Sequence, residues 1–164
     1  LAALNLARQD ALTRVLGRAA AEQELERCCE AALAHRQALS LIVCDLDHFK
    51  WVNDRYGHAR GDEVLRAVAR KLRRSAAHGG AKVGRWGGEE FVVIAPHCAH
   101  NEAFTLAEQI RRDVSSAPLA GLDVTLSLGV ATYRSGERAG NLFQRADEAL
   151  YRAKAGGRNR AEAY

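Results

Sequence analysis

The chain has 164 residues, 48% hydrophobic and 27% charged, with a net charge of +4. That balance specifies one globular domain able to bury a core without staples, and it excludes a disordered chain. No apolar run approaches the length of a membrane span, and the positive charge forms no basic stripe interleaved with aromatics, so neither a membrane segment nor DNA or RNA binding is expected.

Cys28, Cys29, Cys44 and Cys98 have neither zinc-ligand spacing nor a disulfide framework, which favours the reducing cytoplasm. The chain begins at Leu1 and contains no methionine, so it is expected to be a segment of a longer protein. Residues 1–9 are helix-compatible and are expected to be the remnant of an upstream connector helix, with the domain proper over 10–164. Asp10 to Thr13 reads as a turn. From 18 to about 36, Leu25, Cys28, Cys29, Ala32 and Leu33 recur at helical spacing, the pattern of a scaffold helix.

Leu39 to Leu46 is mostly apolar and ends in acids, as a strand covered on both faces would. Asp45 lies where that strand surfaces, and Asp47, His48 and Phe49 follow. Carboxylates there are costly to desolvate unless paired or bound to a cation. A metal role for Asp45 therefore stands beside a simpler one, in which Asp45 or Asp47 caps a short helix near 49–54. A glycine-punctuated loop, 56–62, leads into a helix from Asp62 to about Ala77 with Val64, Leu65, Val68 and Leu72 facing the core. At its start Asp62 could serve only as a partner for the helix dipole.

Two short strand-like runs then flank Gly87-Gly88, which predicts a tight hairpin with glycine supplying positive φ. The bare glycines leave N–H groups open to a ligand, and Glu89 and Glu90 are expected on opposite faces of the second strand. An ordinary surface hairpin with solvated glutamates would give the same pattern. Beyond it, Asn101 is expected to cap a helix carrying Phe104, Ala107, Ile110 and Val114, ending before Pro118. Val124, Leu126, Leu128 and Val130 alternate with Thr125, Ser127 and Gly129, predicting a half-buried strand with one polar face. A final helix over about 141–155 stops at Gly156-Gly157, with Lys154 in its last turn, Arg158 just beyond, and a short terminal strand.

The core order is β-α-β-β-α-β, an α+β arrangement of ferredoxin-like type: an antiparallel-rich sheet with helices packed mainly on one face. In that topology the first strand is central and lies beside the hairpin. Asp45 and the Gly87–Glu90 turn then meet at one edge and form a plausible cradle for Mg²⁺ and phosphate.

Several runs together carry a family resemblance: Asp45-Leu46-Asp47-His48-Phe49-Lys50 with Asn53-Asp54, Tyr56-Gly57-His58 to Gly61-Asp62, Gly87-Gly88-Glu89-Glu90-Phe91, Ser127-Leu128-Gly129-Val130-Ala131, and Ala146-Asp147-Glu148-Ala149-Leu150-Tyr151 running on to Asn159-Arg160. In this order, over about 10–160, they resemble a GGDEF domain, the catalytic domain of diguanylate cyclases. The resemblance implies a palm-like fold akin to nucleotidyl cyclases, an α/β sandwich around a mostly antiparallel sheet. It implies that two GTP molecules become cyclic di-GMP and two pyrophosphates, with Mg²⁺ or Mn²⁺ as cofactor.

By the same resemblance, Asp45 and Glu89 would bind metal with the carbonyl of Leu46, and Glu90 would bind metal or activate the hydroxyl. His48, Phe49, Lys50, Gly87, Gly88, Lys154 and Arg158 would hold the triphosphate. Asn53 and Asp62 would read guanine, whose adjacent N1–H and N2 amine suit a carboxylate acceptor, between Leu12 and Leu65. Each domain would carry half an active site, so a homodimer is implied, as is an upstream sensory module outside this chain.

The chain also departs from the family pattern. His78-Gly79-Gly80-Ala81 stands where an Arg-x-x-Asp product-inhibition site is common, and Arg14 and Gly17 replace a glycine and an asparagine of the opening motif. No ordinary feedback site is expected. The alternative function is a non-catalytic module that binds GTP or cyclic di-GMP as a receptor; a generic palm-type phosphotransferase is disfavoured by the guanine-reading pair.

Overall fold

The computed structural model describes residues 7–164, so most of the expected connector at 1–9 lies outside the described residues. The elements are α1 (Arg18–His35), β1 (Leu39–Leu46), α2 (Phe49–Tyr56), α3 (His58–Ala76), β2 (Lys82–Arg85), β3 (Glu90–Pro96), α4 (His100–Ser115), β4 (Leu126–Thr132), α5 (Ala139–Ala155) and β5 (Arg160–Ala163). They build a five-stranded sheet in the order β2-β3-β1-β4-β5, antiparallel except for the parallel β4–β5 pair. β1 is central and beside the hairpin, as its unbroken apolar run requires, and every one of its residues is buried.

The helices do not gather mainly on one face. Ile42, Cys44 and Leu46 of β1 pack with Val64, Val68 and Leu72 of α3 and Ala107 and Ile110 of α4. The alternate residues Leu39, Leu41 and Val43 pack with Ala21, Leu25 and Cys28 of α1 and Leu142, Ala146 and Leu150 of α5. Both faces are therefore covered. This explains why β4, expected to be half-buried, is buried along all but its last residue. Its small residues admit α5: a Cβ on Gly129 would collide with the backbone of Ala146 and Leu150. Leu33, counted with the apolar stripe of α1, instead projects to solvent.

Three local expectations are also corrected. Neither Gly87 nor Gly88 is among the positive-φ residues, so the β2–β3 connection is not a primed turn. Its geometry comes from the Trp86 and Gly87 N–H groups, both of which donate to the Glu90 carbonyl. The loop expected over 56–62 shrinks to one residue, Gly57 at φ 89°, and α3 starts at His58. Ala99, not Asn101, occupies the N-cap of α4.

Candidate active site

The carboxyl end of β1 and the start of β3 are in register, with Asp45 directly opposite Glu90. The Leu46 N–H donates to the Glu89 carbonyl at 3.2 Å. The adjoining Asp45–Glu90 pair is then of the non-hydrogen-bonded kind, in which facing side chains stand closest. Two carboxylates are thereby held side by side on the sheet face covered by α5, with Glu89 one residue before them.

Burial raises the Asp45 carboxyl above its usual range; Lys154 pulls it back, while Glu89 and Asp47 push it further up. Burial, then Asp147 and Asp45, push Glu90 up to about 7. Lys154, reaching back from the last turn of α5, donates to Asp45 Oδ2 at 2.9 Å. Its ammonium therefore rests on a carboxylate here.

Asp47 does not cap α2. It is 7% exposed and accepts from Thr125 Oγ1 at 2.7 Å, Ser127 Oγ at 2.6 Å and the Asn159 N–H at 2.9 Å. These three bonds fix the loop after β1 to β4 and to the turn after α5, and they account for the buried serine on the supposedly polar face of β4. Asp45 does not cap α2 either, since the N-cap is His48, in the left-handed region, with no side-chain cap bond. The first N–H groups of α2 thus lack intrahelical partners, the usual anchor for an anion.

A cleft of about 380 Å³ opens beside this edge, lined by Phe49, Lys50, Asn53, His58, Asp62, Leu65, Arg85, Gly88 and Glu89. Seven of the sequence-predicted residues share it. Among the described residues Asn53 Oδ1 is buried without a hydrogen-bond partner, which is costly unless a ligand supplies a donor. Gly61 leaves the room it occupies, because a Cβ there would overlap that oxygen. Asp62 is in the second turn of α3 and not in its first, so service to the helix dipole does not explain it. Leu12 packs at the margin of the core, and Leu65 is both core and cleft wall. Asp45, Glu90, His48 and Gly87 are not among the cleft's lining residues. Arg158 has a positive φ and makes no ion pair among the described residues.

Sequence reasoning missed Arg85. Its guanidinium reaches Asp10 Oδ2 at 3.1 Å, the Gly88 carbonyl at 2.8 Å and the Gly87 carbonyl at 3.2 Å. It therefore ties the Gly-Gly loop to the turn at the start of the domain. The only sequence signal was a charged residue ending a short strand. Asp147, which raises Glu90, was read only as part of a motif.

The donor set suits a divalent cation completed by its substrate. Among the described residues no three His, Cys, Asp or Glu side chains converge as a ready-made metal cluster. Mg²⁺ characteristically takes one or two carboxylates plus substrate phosphates rather than an all-protein cage. Two opposed acids, both raised first by burial and then by neighbouring carboxylates, fit that requirement.

A family model described as "Diguanylate cyclase, GGDEF domain" matches residues 7–160. The chain is 46% identical over 155 residues to Diguanylate cyclase DgcM of Escherichia coli K12, covering 94% of this chain and 38% of that protein. It is 41% identical over 163 residues to Response regulator PleD of Caulobacter vibrioides NA1000, covering 95% and 36%. The chain thus spans less than two-fifths of the length of either relative. The fold superposes on the coiled coil and GGDEF domain of DgcB from Caulobacter crescentus in complex with c-di-GMP, with a TM-score of 0.93 at 38% identity over 99% of this chain and 88% of that one. It also matches diguanylate cyclase SiaD of Pseudomonas aeruginosa in complex with its activator SiaC, with a TM-score of 0.92 at 34% identity over 99% and 64%.

Proposed function

This chain belongs to the diguanylate cyclase GGDEF domain family, and on that premise we propose that it condenses two GTP molecules into cyclic di-GMP and two pyrophosphates. In each of two rounds a 3′-hydroxyl of one GTP attacks the α-phosphorus of the other, a P–O bond forms, and the bond to pyrophosphate breaks. The observation that carries the proposal is the opposition of Asp45 and Glu90 next in sequence to Glu89, which lines the cleft together with Asn53, Asp62 and Lys50.

In this proposal Asp45, Glu89, Glu90 and the Leu46 carbonyl hold Mg²⁺ or Mn²⁺. When bound, the cation neutralises charge on the attacking oxygen and on the leaving pyrophosphate. Glu90, whose carboxyl burial and its acidic neighbours push up to about 7, would take the hydroxyl proton. The N–H groups at Phe49 and Gly88, with Lys50, orient the triphosphate, and Lys154 moves to it from Asp45 once that carboxylate has another cation. Asp62 accepts from guanine N1–H and N2 while Asn53 pairs with the neighbouring edge, and Leu65 packs against the base. One domain binds one GTP, so two copies must face each other to bring hydroxyl and phosphorus together.

The alternative, a non-catalytic receptor for GTP or cyclic di-GMP, is favoured by one observation: Lys154 already neutralises Asp45. Base preference tests the site directly. Asp62→Ala should weaken GTP binding by about 1–3 kcal/mol and erase most of the preference over ATP, read by titration calorimetry. Undiminished preference for GTP would remove Asp62 from the site.

A further inference from the structure

α1 and α5 cover the same face of the sheet, and a groove runs between α1 and the first turn of α5. Two hollows of about 480 and 180 Å³ make it up, sharing Glu26, Ala139 and Gly140. None of their lining residues lines the catalytic cleft. At one end lie Leu25 and the Trp86 and Phe143 rings, stacked with centroids 4.6 Å apart. At the other lie Tyr133 and Leu33, the apolar side chain of α1 that projects to solvent. The α1 wall from Glu22 to Leu33 is about 16 Å long, or about three helical turns. An apolar trough of that length between two helices suits a docked amphipathic helix, with one apolar anchor in each hollow.

The charge of the groove says which helix. Along the α1 wall Glu22, Glu26 and Glu30 follow at four-residue spacing, where like charges on a helix repel. Glu22 is paired with Arg18 at 3.0 Å. Glu26 and Glu30 make no ion pair among the described residues. Glu137 adds a further carboxylate, answered by Arg145, and Arg138 is the one cation in the lining. The Cys29 thiol in the wall senses the local field: burial first, then Glu137, Cys28, Glu26 and Glu30 push it up to about 11. On a chain of net charge +4 this groove is a local reversal of sign, and it is complementary to a cationic partner.

We infer that the groove between α1 and α5 receives a basic amphipathic helix of a separate protein. Its apolar side chains seat against Trp86 and Phe143 at one end and Leu33 and Tyr133 at the other, and its lysines or arginines meet Glu26 and Glu30. A second copy of this chain does not offer such a helix. The strongly basic helix here is α3, whose apolar side chains Val64, Val68 and Leu72 are buried in its own core. Residues 1–6 carry no lysine or arginine. Trp86 is next in sequence to Gly87-Gly88, so a helix seated here abuts the proposed catalytic loop.

The probe is a synthetic peptide of about 14 residues with leucine at i, i+3, i+4 and i+7 and lysine elsewhere, long enough to span the groove. The control is the same peptide with glutamate in place of lysine. Each would be titrated into the isotopically labelled chain, following backbone amide resonances. The lysine peptide should give saturable shifts at Leu25, Cys29, Leu33, Gly140 and Phe143 and none at Lys50, Asn53 or Asp62, and the glutamate peptide should give none. Two variants test the two halves of the site. Glu26→Lys/Glu30→Lys reverses the charge. Gly140→Tyr fills the groove without strain, because a Cβ there meets nothing within 4 Å. Each should weaken binding by about 10-fold or more, with an unchanged thermal midpoint as the fold control. No shifts at the groove up to millimolar lysine peptide, or equal binding of the glutamate peptide, would overturn the assignment. So would binding lost on charge reversal but kept in Gly140→Tyr, which would mean that lysines meet the acids without entering the groove. Groove shifts that appear when the chain alone is concentrated would give the site to a second copy and overturn the choice of partner. None of these readouts depends on cyclase activity.

Discussion

At the scale of single residues, the site is arranged around groups left wanting a partner. Asn53 Oδ1 has none among the described residues, and the missing Cβ of Gly61 lets the amide lie where it does. Gly61→Ala should therefore displace the Asn53 side chain and lower GTP affinity about 10-fold, a loss of roughly 1.4 kcal/mol. The thermal midpoint should hardly change, because a side-chain amide can swing aside where backbone could not. Titration calorimetry and a melt on the same sample check both halves. Glu90 makes a second prediction through its charge. Burial, Asp147 and Asp45 raise it from 4.5 to about 7. A folded-state value above the unfolded one means the native state holds the proton more tightly, so stability falls as pH rises through 4.5 to 7. The loss should be about 1–2 kcal/mol after allowance for solvent at this partly open edge. Metal-free denaturation curves from pH 4.5 to 8 should show it, Glu90→Gln should flatten it, and saturating Mg²⁺ should remove most of it. A pH-independent midpoint would mean that Glu90 is neither desolvated nor crowded by its acidic neighbours.

At the scale of elements, the contact between β4 and α5 carries the most consequence for the site, because α5 delivers Lys154 to Asp45. Gly129→Ala should push the two apart, since the new methyl would meet backbone of α5 and not a movable side chain. A destabilisation of about 3 kcal/mol or more is expected from chemical denaturation, and a change under 1 kcal/mol would show that α5 can retreat. This contact also shows what the sequence could and could not disclose. The run Leu39–Leu46 could be read as a buried strand because no alternative use exists for eight such residues. The alternation of Ser127 and Gly129 with Leu126 and Leu128 could equally mean a wet face. Its true use, a hydroxyl for Asp47 and a gap for α5, depends on residues far along the chain. The Gly87-Gly88 pair likewise suggested positive φ, but the loop is shaped by the carbonyl of Glu90 and the guanidinium of Arg85. Asp45 stood out because a carboxylate at the end of a buried strand has few cheap structural uses, whereas Glu89, Glu90, Asn53 and Asp62 took their expected roles from the family resemblance. Arg85 could not be picked out, because an arginine ending a strand commonly just meets water.

At the scale of the whole molecule, two helical layers enclose a sheet whose central strand ends at the proposed metal site. In the proposed reaction each copy holds one GTP, so activity should depend on encounter between copies, rising more than linearly with protein concentration until pairing saturates. The most direct test is to incubate this chain with GTP and Mg²⁺ over a range of protein concentrations and measure cyclic di-GMP and pyrophosphate. Product should appear at one cyclic di-GMP per two pyrophosphates. Glu89→Ala should cut the rate by about 100-fold or more, on the scale seen when one preorganised charge-stabilising group is removed from an active site. No cyclic di-GMP even when two copies are held together by a fused dimerising helix, or an undiminished rate in Glu89→Ala, would contradict the account.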